Sequence, residues 1–216
     1  ATLQEAITKA QGGTVKLLKS AGDVTVSDKE FKLDLNGKNI NSLTVTGSRC
    51  PQLMDTAESG GVIGTLTYTG GMLVQLPAEG YSLKSGNSWL SADALFGTGA
   101  ADVSAAATNV TAELILPPAT ITYGDNEQFA VNAAPAGTAF TYRWYAVTDS
   151  GYEKLEGATA ATYTVSALDV GTHKLLCAVT AQDGATALTA VGSVTVEKAD
   201  SSMGSAAVMS YTTTYN

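Results

Sequence analysis

At 216 residues and 44% apolar, the chain excludes a disordered polypeptide and has room for two domains of ordinary size, or for one larger domain. No run of about 18 apolar residues is present to cross a bilayer, so a soluble chain without membrane insertion is expected. Twelve basic residues stand against twenty acidic ones, for a net charge of −8; residues 1–100 hold 8 against 9, and residues 101–216 hold 4 against 11. The acidic second half repels phosphate backbones and offers no basic stripe, which argues against nucleic acid or anionic lipid as a partner. Twenty-two glycines among Thr, Ser, Val and Asp punctuate many short strands, and an all-β chain is expected.

Thr2-Leu-Gln-Glu5 has the form of a capping box. Leu3, Ala6, Ile7 and Ala10 fall on one face before Gly12-Gly13, which predicts a short opening helix. Brief alternating runs follow at 14–19, 24–26, 31–35 and 43–45, each closed by Gly, Asn, Ser or Asp, and they predict strands about ten residues apart. Leu3-Gln-Glu-Ala6, Gly13-Thr-Val15-Lys-Leu17-Leu18, Val24-Thr-Val26 and Leu33-Asp-Leu-Asn-Gly-Lys38 occur in an order that resembles the start of right-handed β-helix-like modules in large surface proteins of Gram-positive bacteria. The resemblance covers residues 2 to 47. It implies a short solenoid with a capping helix, continued by runs at 61–68, 72–76 and 81–83.

Residues 92–112 are rich in small side chains and show neither period, so the first domain is expected to end at 100 and a linker to occupy 101–111, with Gly97-Thr-Gly99 read as linker too. Asn109-Val-Thr111 fits the N-glycosylation pattern, of little weight in a bacterial chain. About seven strands then fit within 112–198, among them 113–116, 121–125, 128–131, 140–147, 163–165, 173–179 and 191–196. Trp144 in an aromatic strand, and Asp169-Val-Gly171-Thr-His173-Lys-Leu175 after it, resemble strand C and the start of strand F of an immunoglobulin-like β-sandwich. In that frame His173 stands in the tyrosine position and Leu175 in the cysteine position, with Phe129 and Val131 on the partner strand. The resemblance therefore implies apolar packing around Trp144 in place of the disulfide, and leaves His173 to make the corner hydrogen bond. Cys50 and Cys177 fall in different predicted domains and are read as thiols not bridged to each other, which suits an exported bacterial protein. Residues 199–216 are expected to be a tail or the truncated start of a next module, and the whole an excised piece of a longer chain.

Catalytic chemistry finds little support. His173 is the single histidine, and there is no His-Glu-x-x-His, Cys-x-x-Cys, phosphate loop or Gly-x-Ser-x-Gly. Asp34 and Asn36 alternate with Leu33 and Leu35, so they are expected to point outward in a structural role; Asp125-Asn126-Glu127 lacks a calcium-ligand spacing. No catalytic, cofactor or metal residue is assigned. Aromatic rings that stack on sugars are the remaining candidates, namely Trp89, Tyr145 and Tyr152, with Trp144 in the core. The expected role is display, spacing or adhesion by a non-catalytic module pair on a bacterial cell surface or in secretion. Such a pair would be monomeric within a larger chain and would meet a glycan or matrix protein. An accessory carbohydrate-binding region of a glycan-degrading enzyme is the alternative, and a β-helix lyase or hydrolase ranks last.

Overall fold

The computed structural model describes residues 2–68, 76–116, 120–149, 151–165 and 168–199. Of the expected strand 72–76 only Leu76 is among them, and the expected tail beyond 199 lies outside the described residues. Helix α1, Leu3–Lys9, begins at the predicted capping box: Glu5 N donates to Thr2 Oγ1 at 3.2 Å and Thr2 N to Glu5 Oε2 at 2.9 Å. Ile7 is buried, and the Gln4 carboxamide pairs with the backbone of Thr25, donating to its carbonyl at 3.0 Å and accepting from its N–H at 3.2 Å.

Six strands then alternate between two parallel ladders. One ladder holds β1 (Thr14–Lys16), β3 (Lys32–Asp34) and β5 (Gln52–Met54); the other holds β2 (Ala21–Ser27), β4 (Ile40–Thr46) and β6 (Ile63–Tyr68). The register stacks like on like. Val15, Leu33 and Leu53 form one column, Val24, Leu43 and Leu66 a second, Val26, Val45 and Tyr68 a third. All of these but half-buried Val15 lie in one apolar core.

Asp34 departs from the expected exposure. It faces away from Leu33 and Leu35, yet is 2% exposed, because the next turn of chain folds over it. Its carboxylate accepts from Asn36 N and Thr56 N at 3.0 Å each and from Thr56 Oγ1 at 2.7 Å, with Lys16 Nζ at 3.5 Å. Burial pushes its pKa up, but the Thr56 and Asn36 hydrogen bonds and the Lys16 charge outweigh it and hold the group below the usual carboxylate range. Asp55 does similar work one turn later, accepting from Gly37 N at 2.9 Å, from Ala57 N at 3.0 Å and from Gly61 N. Asn36 and Gly37 take φ of 48° and 68°, as the Asn-Gly turn signal requires.

The first unit is completed by β7 (Tyr81–Ser85), β8 (Ser88–Trp89), the short helix α2 (Ala92–Leu95) and β9 (Gly99–Ala107). Most of the expected linker, and the Gly99 read as part of it, is therefore strand: β9 inserts antiparallel between β6 and β7, with Val103 and Ala105 buried. Small side chains are what that slot admits, since a Cβ at Gly99 would lie 2.5 Å from the Leu66 carbonyl oxygen. Only residues 108–110 separate β9 from β10 (Thr111–Ile115).

The second unit is a two-sheet sandwich. One sheet runs β10, β12 (Glu127–Ala134), β15 (Thr162–Val165); the other runs β11 (Thr120–Thr122), β18 (Gly192–Glu197), β16 (Gly171–Ala181), β13 (Phe140–Thr148), β14 (Gly151–Lys154), with β17 (Thr186–Leu188) also on β16. β11 pairs parallel to β18 while the other pairings are antiparallel, so the chain changes sheet after its first strand, as in an immunoglobulin-like sandwich. Trp144 is fully buried between the sheets, edge-on to Phe129 at 6.4 Å, with its Nε1 donating to Ala160 O at 2.9 Å. Val131, Val165, Leu175, Cys177, Val179, Val194 and Val196 close around them.

Candidate functional site

Alternation on β13 turns Trp144 inward and Tyr145 outward, and the outward face is not solvent. The Tyr145 ring is 2% exposed and its centroid lies 4.3 Å from that of Phe96, the residue ending α2 of the first unit; its hydroxyl donates to Asp93 Oδ1 at 2.7 Å. Burial pushes the Tyr145 phenol well above its ordinary range, and the Asp93 hydrogen bond and charge add to this. Phe96 also meets Tyr152 of β14 at 4.7 Å, and burial, then the neighbouring Cys50, raises that phenol too. Ala92, Leu176, Ala178, Val147 and Leu188 complete this third apolar cluster, which joins the two units. Ser82 Oγ on β7 also donates across the junction to Thr186 O on β17 at 2.9 Å.

Trp89 lies at the same junction. Lys84 Nζ sits 4.2 Å from its ring centre, and Gly184, in the turn between β16 and β17 at φ 93°, packs so close that a Cβ there would come 3.0 Å from Trp89 Cδ1. Tyr145 and Tyr152 are thus brought together on Phe96, and Trp89 packs separately against Gly184, all three as packing between units. Tyr145 has no open face for a sugar, and Trp89 and Tyr152 are half-buried.

Elsewhere, His173 Nε2 lies 2.7 Å from Asp169 O, four residues upstream, so it ties the β16 corner as a tyrosine hydroxyl would. Leu175 and Cys177 both face the core, and no disulfide joins Cys177 to Cys50. Burial raises the Cys177 thiol to about 12, which makes it inert as a nucleophile. The Asp125 carboxylate closes its own turn, accepting from Thr122 N at 3.2 Å. Among the described residues no group of three or more His, Cys, Asp or Glu is placed to hold a metal ion, and no helix is long and apolar enough to cross a membrane.

Sequence reasoning missed Asp93, Phe96, Leu176 and Ala178. A signal existed: Leu175-Leu-Cys-Ala-Val179 is an unbroken apolar run, all of it buried, where a strand with one wet face would alternate.

No family model and no curated protein matches the chain in sequence. Among solved structures, the chain is similar to the PKD domain of human KIAA0319, with 23% identity over 43% of this chain and 84% of that one, at a TM-score of 0.35. It is also similar to the fibronectin(III)-like modules of Clostridium thermocellum CbhA (16% identity, 41% of this chain and 98% of that one, TM-score 0.28). The N-terminal four Ig domains of Dscam1 isoform 6.9 match with 14% identity over 47% of this chain and 24% of that one, at a TM-score of 0.29.

Proposed function

We propose that the chain is a non-catalytic module pair of a bacterial cell-surface or secreted protein, acting as a stiff spacer that displays or carries an adhesive surface. In this reading the first unit is a short β-helix-like solenoid of the Gram-positive surface type with α1 as its cap. Two alternating parallel ladders and the Gln4 pairing with Thr25 support it. The observation that carries the spacer role is the junction: Tyr145, Tyr152 and Phe96 pack there, Tyr145 is tied to Asp93, and only residues 108–110 connect the strands on either side. A spacer needs such a joint, because a flexible linker would let the distal module collapse back. Small-angle scattering and 15N relaxation of the intact chain test it. One rotational correlation time and one elongated envelope are expected; two independently tumbling lobes would refute the spacer role.

A further inference from the structure

We infer a binding site for an acidic sugar in the groove between the two units. The groove encloses about 420 Å³, within the roughly 300–1,000 Å³ of small-ligand sites, which favour the boundaries between domains. Its floor is the outer face of β13 and β16, its wall the segment from Ser91 to Asp93 of the first unit. Two charged groups line it, Arg143 and Asp93, and they are engaged differently. Asp93 already accepts the Tyr145 hydroxyl. Arg143 is half-buried on β13, and no ion pair or side-chain hydrogen bond reaches its guanidinium among the described residues. A guanidinium held against a sheet with its fork unused matches a carboxylate in bidentate geometry.

Around it stand groups suited to the rest of a sugar acid. Thr159 is exposed beside it, and the carboxylate of Asp93 can accept a second hydrogen bond from a ligand hydroxyl, whereas Phe140 and Tyr142 turn their rings to the core on the other face of β13 and contribute only backbone to the groove. A simple carboxylate would use the arginine alone, and a neutral sugar would leave it unused. A uronic acid residue of a glycan uses both sets.

The larger depression beside α1 does not offer the same chemistry, although Lys29, Lys32 and Arg49 line it. Lys29 is taken up by the Thr8 carbonyl at 2.7 Å, and the Arg49 charge acts on Asp28.

The site rests on the docked junction of the spacer reading, since one wall comes from each unit. The test is an NMR titration of the full chain with glucuronate, glucose and acetate, in which the correlation time of the same sample reports docking separately. Glucuronate is expected to shift amides of Ser91–Asp93, β13 and β16 saturably, with glucose and acetate each at least about tenfold weaker. Arg143→Gln should weaken glucuronate about tenfold or more and leave the melting temperature unchanged, because Arg143 makes no ion pair among the described residues; Arg143→Lys, which keeps the charge without the fork, should fall between. The inference is overturned if glucose or acetate matches glucuronate, if Arg143→Gln binds as well as wild type, or if the shifts neither saturate nor map to the groove. A docked junction with no binding would sink the site alone; an undocked one would sink both readings.

Discussion

Replacing Phe96 by Ala tests whether the two units behave as one body. The ring makes two aromatic contacts across the junction, at 4.3 Å to Tyr145 and 4.7 Å to Tyr152. Each is worth about 0.5–1.5 kcal/mol beyond area burial. The half-buried side chain adds about 1 kcal/mol of transfer free energy, so truncation should cost the docked state about 2–4 kcal/mol. If both units unfold as one cooperative block, a domain of this size loses about 2–4 °C per kcal/mol, and the midpoint should drop by about 4–16 °C. Calorimetry should show the single transition broadening or splitting in two as docking weakens before either core does. Both cores remain intact in this variant, since Phe96 packs against the junction cluster and belongs to neither. A melting profile indistinguishable from wild type, with an unchanged correlation time, would refute the claim that these rings hold the units together.

Four further outcomes follow from the geometry. Asp34→Ala removes the acceptor of three donors beneath a sealed turn and should destabilise the first unit by about 3 kcal/mol, read by urea unfolding. Because the folded-state pKa of Asp34 is depressed, its contribution is present above the ordinary carboxylate value and lost as pH falls below about 4, so Asp34→Asn should flatten the acid limb of stability against pH. At the other extreme, burial raises the phenol of Tyr68 and the thiol of Cys177 each to about 12. Both stay neutral in the fold and ionise more readily once unfolded, so their contribution is complete below about pH 9 and lost as pH rises towards 12; Tyr68→Phe should shift alkaline unfolding upward, and a circular dichroism titration that shows no change would count against it. Gly99→Ala drives a methyl group to 2.5 Å from the Leu66 carbonyl oxygen and should cost about 1–3 kcal/mol, whereas Gly22→Ala, which meets open space, should stay within about 0.5 kcal/mol in the same denaturant series.

Much of this fold is legible in the residues because local and global preferences agree. The capping box at Thr2 and Glu5, the short strand around Leu33, the inward Trp144 and the corner at His173 each obey a rule of short range. The failures share a cause, which is contact with chain distant in sequence. β9 is built of Gly, Ala and Ser because it is squeezed between two strands, and small side chains read as linker when those neighbours are not in view. Asp34 alternates as a surface residue should, and is then covered by Thr56 from the next turn. Tyr145 likewise alternates away from Trp144, and only the first unit's α2 makes that face an interior. Alternation reports which residues share a face; it does not report what lies against that face.

The contact between Gln4 and Thr25 blunts an outer edge of the first unit's sheet. β2 is an outer strand of a six-stranded sheet, and such a strand presents unpaired donors and acceptors that can seed growth by a second copy. A primary amide has one carbonyl and one NH₂ arranged like a peptide group, so Gln4 occupies the position where the backbone of an added strand would bind, and carries nothing beyond it to extend the ladder. Its side chain is a chain terminator in the polymer chemist's sense.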